Sequence, residues 1–299
     1  MNALYEDFRE VELSSGFCCS RDIASSAGAV LTKSGTILDE RLIHKLKQYD
    51  IARVFVHRDV DAVLNKTRCD SNALIENANK ATYCIIIGGE LPTIYRDLLF
   101  DYLYVSNSDN FSAISKYITH LRKNDPFTHE HCTKVAWFAV FLGAKLALSS
   151  TEILDLLQTG MLHDIGKSCI PGSVLNKEGS LDKEEFDLIR RHPLVGYQML
   201  KEMVSKDILQ GVLHHHEKLT GFGYPHGLVD SEVTLYSRVV GIVDIFDALT
   251  SFRPYKNKVS MEDAIPILGA MAHTHELDIE VYGCFVEGIT GLLKGGLIV

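Results

Sequence analysis

Apolar and polar positions change their period partway along the chain. Over residues 27–57 they alternate in short runs. Ala29-Val30-Leu31 reads as a strand, Lys33-Ser34-Gly35 as a turn, and Ile51–Val56 as a β-branched strand. Between them Asp39 stands where it can cap a helix through Leu46. Residues 58–110 carry a weaker pattern, in which Tyr83–Ile87 predicts a strand and Leu91–Tyr104 a helix. From Asn110 the period is helical almost throughout. Asp125-Pro126 predicts a helix start, with Asp as N-cap and Pro at the first helical position, and that helix runs to about Ala147. A second helix is expected over Ser150–His163, and a third after the capping-box pair Asp182 and Glu185. Others are expected over Pro193–Val204, Asp207–Glu217, Tyr236–Ser251 and Met261–His273. The expected fold class is therefore mainly α: an all-helical domain over residues 106–299, preceded by a small α/β domain over residues 1–105.

The same period says which polar side chains face inward. Over 207–217, Ile208, Gly211, Val212, His215 and His216 share one face, and His214 falls off it. His131 lines up with Val135, Phe138 and Leu142, while the stripe Ile153, Leu156, Leu157 and Met161 continues onto Asp164. Asp244 and Asp247 lie in VVGIVDIFDAL, which is apolar on all sides and predicts burial. Buried charges are costly unless paired or bound to metal. One histidine on an apolar face is an ordinary hydrogen-bonded core residue. Seven groups aimed into one helical core, namely His131, His163, Asp164, His192, His215, His216 and Asp244, call for a metal instead.

Composition narrows the classes further. At 299 residues the chain is long enough for two domains, and its 46% hydrophobic and 23% charged shares are those of a soluble globular protein. A net charge of −9 argues against a nucleic-acid polymer as partner but leaves room for a small anion held by local cations or metals. The seven cysteines are scattered and form no C-x-x-C pair, so reduced thiols are expected rather than a disulfide framework or a zinc knuckle. The N-terminus has no basic stretch followed by an apolar one. The longest helical apolar stretch, Val135–Leu148, is interrupted by Lys145 and too short to span a bilayer. The expectation is no membrane partner and a cytoplasmic location.

The motifs resemble a known family. His163-Asp164-Ile165-Gly166-Lys167 is similar to the signature of the HD phosphohydrolase superfamily, and HHExxxGxGYP at 215–225 resembles that of the HD-GYP subgroup of bacterial cyclic-dinucleotide phosphodiesterases. His192-Pro193, the segment DIFDALT at 244–250 and Arg253-Pro254-Tyr255-Lys256 follow in the family's order. The resemblance implies an HD-type domain holding two divalent transition-metal ions, Fe or Mn, on His131, His163, Asp164, His192, His215, His216 and Asp244, with Asp164 bridging. A hydroxide between the metals would attack phosphorus. Lys167 would contact the scissile phosphate, and Tyr224, Arg253 and Lys256 would hold the dinucleotide. The implied reaction opens cyclic di-GMP or cyclic GMP-AMP to the linear dinucleotide, and on to mononucleotides in some relatives. A degenerate module that binds the dinucleotide as a sensor without hydrolysis is the alternative.

Two positions depart from the family pattern. Thr220 stands where an aspartate is usual, and Phe127 stands where relatives with three metals carry a glutamate. Phe127 cannot ligate, which favours two metals, and Glu130 is expected to point elsewhere. Residues 10–57 resemble the small module that often precedes such domains; it could sense a signal or form a homodimer.

Overall fold

A computed structural model describes residues 8–12, 23–25, 30–32, 40–49, 51, 53–57, 71–88, 91–106, 110–177, 179–251 and 259–295. The chain divides into two compact units, Met1–Asp70 and Ser71–Val299. In the first, strands β1 (Phe8–Glu12) and β4 (Arg53–His57) pair antiparallel, as do β2 (Ile23–Ala24) and β3 (Val30–Thr32). Helix α1 (Glu40–Lys47) stands where the sequence expected one; Asp39 lies outside the described residues.

The second unit begins at Ser71, well before the division expected near residue 105. Its first helices are α2 (Ser71–Gly88) and α3 (Thr93–Ser106). The strand expected over Tyr83–Ile87 is the last turn of α2. Its isoleucines suggested a strand, but Leu74, Ala78, Ala81 and Ile85 are all buried, at a helical spacing that starts far upstream. Local β propensity gives way to this longer stripe.

Helix α4 (Phe111–Asn124) leads into α5 (Pro126–Lys145), the axis of the core. Asp125 caps α5 by accepting from the Thr128 backbone N–H at 3.0 Å. Every residue from His131 to Gly143 is buried, as a helix apolar on all sides requires. Trp137 is wholly buried; it packs edge-on against Tyr95 and Tyr102 of α3, and its Nε1–H donates to the Tyr95 carbonyl at 3.2 Å. Around α5 lie α2, α4, α6 (Ser150–Leu162), α11 (Leu235–Thr250) and α13 (Ile279–Gly295).

Between α6 and α11 run a 3₁₀ turn (Ile165–Cys169), the short α7 (Gly172–Leu175), α8 (Lys183–Ile189), α9 (His192–Leu200) and α10 (Lys206–His214). Helix α12 (Met261–His273) matches its expected bounds, and the capping boxes at Ser149/Glu152 and Asp182/Glu185 both form. Gly166 cannot be replaced without moving the backbone: a Cβ there would stand 2.1 Å from the His192 carbonyl oxygen. That contact seats the start of α9 directly on the turn after Asp164.

Candidate metal centre and cleft

Three of the expected ligands lie just past or beside helix C-termini, and this placement sets their chemistry. The last carbonyls of a helix have no partner within it. His163 follows α6 and its Nδ1 bonds the Gly160 carbonyl at 2.7 Å. His192 follows the end of α8 and bonds the Ile189 carbonyl at 2.7 Å, and His215 follows α10 and bonds the Val212 carbonyl at 2.8 Å. A carbonyl only accepts, so each Nδ1 carries the proton and each neutral ring presents a bare Nε2.

Those bare nitrogens converge. His192 Nε2 stands 3.3 Å from His215 Nε2 and 3.0 Å from Asp164 Oδ1. His163 Nε2 is 3.4 Å from Asp164 Oδ2 and 3.9 Å from Asp244 Oδ1. His216 approaches Asp244 Oδ2 through Nδ1 at 3.7 Å.

His131 is held differently. It lies inside α5, where the carbonyls are spent on the helix, and its Nδ1 instead donates to Asp247 Oδ2 at 2.7 Å. Its Nε2 then faces Asp244 Oδ1 at 2.9 Å, out of line for a hydrogen bond. Asp247 is fully buried and also accepts from Ser251 Oγ at 2.8 Å, which in turn accepts from Lys134 Nζ at 3.2 Å. The sequence marked Asp247 as buried but attached no role to it. Its position one helical turn after Asp244 was the available signal.

The seven expected ligands therefore come together. Potential ligand atoms of Asp164, His192, His215 and His216 lie within 4.8 Å of one another, as do those of His131, His163 and Asp164 and those of His163, His215 and Asp244. Asp164 belongs to two of these groups. No hydrogen bond meets His131 Nε2, His163 Nε2 or Asp164 Oδ1. Buried nitrogen and oxygen atoms that face one another without a hydrogen bond fit divalent cations, and the carbonyl and carboxylate partners behind the rings are the support that metal-bound histidines commonly have.

The electrostatics agree with this. Burial, then the neighbouring His216, His163 and His192, holds His215 well below the ordinary histidine range. Burial also carries His216 down to about 3. Both rings stay neutral, the form that binds metal. For Asp164 burial acts upward, but Lys167, His163 and His192 outweigh it and keep the carboxyl well below its usual range. Burial acts downward on His131, yet the Asp244 and Asp247 carboxylates beside it raise it to about 9. A proton and a metal compete for that one nitrogen.

The cluster opens onto a cleft of about 350 Å³, lined by His131, Lys134, Lys167, Phe127, Glu130 and Ile189 among others. Lys167 Nζ is 2.5 Å from Asp164 Oδ2 at the cleft wall. Phe127 is exposed there, and Glu130 is turned to Arg96 at 3.0 Å. Tyr224 lies over His216, with ring centroids 4.7 Å apart and planes at 32°. Arg190 covers the Tyr224 ring at 4.7 Å, a contact without a signal in the sequence. Arg253 and Lys256 lie outside the described residues.

One expectation needs correction. The helix expected to reach Glu217 ends at His214, because the chain turns there to lay the Gly221–Gly227 loop across it. A Cβ on Gly223 would stand 2.4 Å from the Glu217 Cα, so only glycine permits that approach. His214 falls off the face carrying His215 and is buried at 6% exposure, packed at the helix edge under this loop. Thr220 Oγ1 is buried without a hydrogen-bond partner. Among the described residues no helix is long and apolar enough to cross a membrane.

Known proteins are similar to this chain in sequence. A cyclic di-GMP phosphodiesterase of Pseudomonas aeruginosa is 33% identical over 215 residues, covering 71% of this chain and 51% of that protein. A cyclic di-GMP phosphodiesterase of Thermotoga maritima is 34% identical over 58% of this chain and 45% of its own length. A 3'3'-cGAMP-specific phosphodiesterase of Vibrio cholerae is 34% identical over 54% of this chain and 38% of its own. The chain thus spans about half the length, or less, of these relatives. The HD domain family model matches residues 116–281, more than half of the chain, and the match contains every clustered imidazole and carboxylate from His131 to Asp244. By that match, and by the His163-Asp164 pair at the centre of the cluster, this chain belongs to the HD domain family.

Proposed function

We propose that the chain is a metal-dependent phosphodiesterase that opens a cyclic dinucleotide, cyclic di-GMP or cyclic GMP-AMP, to the linear form. The observation that carries this reading is the convergence of imidazole nitrogens on Asp164 and Asp244, beside a cleft that His131 and Lys167 line. The named activities of the relatives favour a cyclic dinucleotide over other phosphodiesters.

In this reading His131, His163, Asp164, His192, His215, His216 and Asp244 would hold two divalent ions, iron or manganese. When bound, the ions supply Lewis acidity and an activated water. The chain's own groups do the rest. The helix-end carbonyls and Asp247 keep the imidazoles in the ligating tautomer. Lys167 neutralises the charge that grows on the scissile phosphate. Tyr224, held between His216 and Arg190, contacts the dinucleotide, a role that rests on the family resemblance. Arg253 and Lys256 bind the remaining phosphate or guanine edges, a role that rests on the family resemblance.

The test is metal analysis of the purified protein combined with product analysis on a panel of cyclic dinucleotides. About two transition ions per chain and a linear product from cyclic di-GMP or cyclic GMP-AMP are expected. Binding without turnover in the metal-loaded protein would make it a sensor. Turnover of mononucleotides alone would place it with other hydrolases.

A further inference from the structure

We propose that His214, Glu217 and His226 form a second metal site, separate from the centre above, that takes one divalent transition ion of the Zn²⁺ class and clamps the Gly221–Gly227 loop to the end of α10. None of its three residues belongs to the first cluster, and the inference does not depend on the proposed reaction.

The geometry points to a cation in three ways. One nitrogen from each imidazole and one Glu217 carboxylate oxygen lie within 4.8 Å of one another. His214 Nε2 and His226 Nδ1 are already 3.0 Å apart, close to the roughly 3.3 Å edge of a tetrahedron built on bonds of about 2.0–2.1 Å. His214 is also 6% exposed, which holds its ring in one position beside Glu217 and His226.

Glu217 is the third member and is held in place. Its carboxylate accepts from the His226 backbone N–H at 2.7 Å and from the Leu228 N–H at 3.1 Å. It is 5% exposed, yet each oxygen has a further lone pair to give. Two imidazoles and a carboxylate are a common zinc donor set, with water completing the fourth position. His226 is exposed, which provides both that water and a route of entry.

The three ligands span the segment that carries His215, His216 and Tyr224. An ion here fixes the loop at both of its ends, at the close of α10 and directly after Pro225. Its effect on the first centre is one of position: it holds Tyr224 over His216 without touching either ring.

The experiment uses the full chain, stripped of metal and titrated with Zn²⁺ against a chromophoric chelator. His226→Ala should bind one fewer tight equivalent than the unsubstituted protein. Asp164→Ala, which disrupts the first centre, should keep that equivalent, and the Asp164→Ala/His226→Ala protein should lose it. Amide exchange over residues 221–227 should slow on zinc addition in the unsubstituted and Asp164→Ala proteins and stay unchanged in His226→Ala. Equal zinc counts with and without His226, in both backgrounds, would overturn the proposal. So would loop exchange that zinc slows as much in His226→Ala as in the unsubstituted protein.

Discussion

The two sides of the cluster orient their imidazoles by different means. On one side His163, His192 and His215 lean on carbonyls left over at the ends of α6, α8 and α10. On the other, His131 sits inside a continuous helix and relies on the Asp247 side chain. The first arrangement is written into the backbone, and no side-chain deletion removes the partner. The second depends on one carboxylate. A ligand at a helix end is thus supported by where the helix stops, whereas a ligand inside a helix needs a dedicated residue from another element.

Asp164 belongs to both sides, so its loss should have the largest effect. Asp164→Ala should lower metal content and reduce turnover beyond the ~10²–10³-fold that a single charge-stabilising donor carries. Elemental analysis alongside product formation checks this, and near-normal metal content would show that the two sides do not share the carboxylate. Lys167 is not among the seven expected ligands. Lys167→Ala should keep metal and lower kcat by roughly 10²–10³-fold. If metal is lost as well, Lys167 supports the centre rather than the phosphate.

Asp247 separates the two sides most directly. Asp247→Asn should weaken metal retention about 10–100-fold, read by chelator competition, because the amide no longer favours a bare His131 Nε2. Unchanged retention would mean that the carboxylate behind His131 is dispensable. The backbone-held side can be reached only by moving a helix. A Cβ at Gly160 would stand 2.6 Å from the Ala136 Cα, forcing α6 away from α5. Gly160→Ala should cost about 1–3 kcal/mol of stability in the metal-free protein, measured by urea unfolding. The smallest effect is expected off both sides: Thr220→Val replaces a hydroxyl that has no partner and should leave stability within about 0.5 kcal/mol.

The helices and the convergence of the seven polar side chains were largely legible in the sequence, for a physical reason. The stripe through His131, Val135, Phe138 and Leu142, and the all-round apolar run holding Asp244, are long enough for the helical period to outweigh local preference. Where the run is short, local preference misled, as at Tyr83–Ile87. The register around His214 was partly legible. Periodicity separated it from His215, but only the loop folding back at Gly223 explains why it is buried. Asp247 and Arg190 went without roles because both act through a neighbour distant in sequence, His131 and Tyr224. Spacing along a single helix carries no trace of such a pairing.

Trp137 has a practical consequence of its own. It is the chain's single tryptophan, enclosed by Tyr95 and Tyr102 and bonded to the Tyr95 carbonyl. Its indole emission therefore reports the docking of α3 against α5, from the middle of that helix, six residues after His131. Fluorescence can follow whether the helices of residues 71–106 stay seated while the metals come and go. It gives the second compact unit a built-in optical gauge that needs no label and disturbs no ligand.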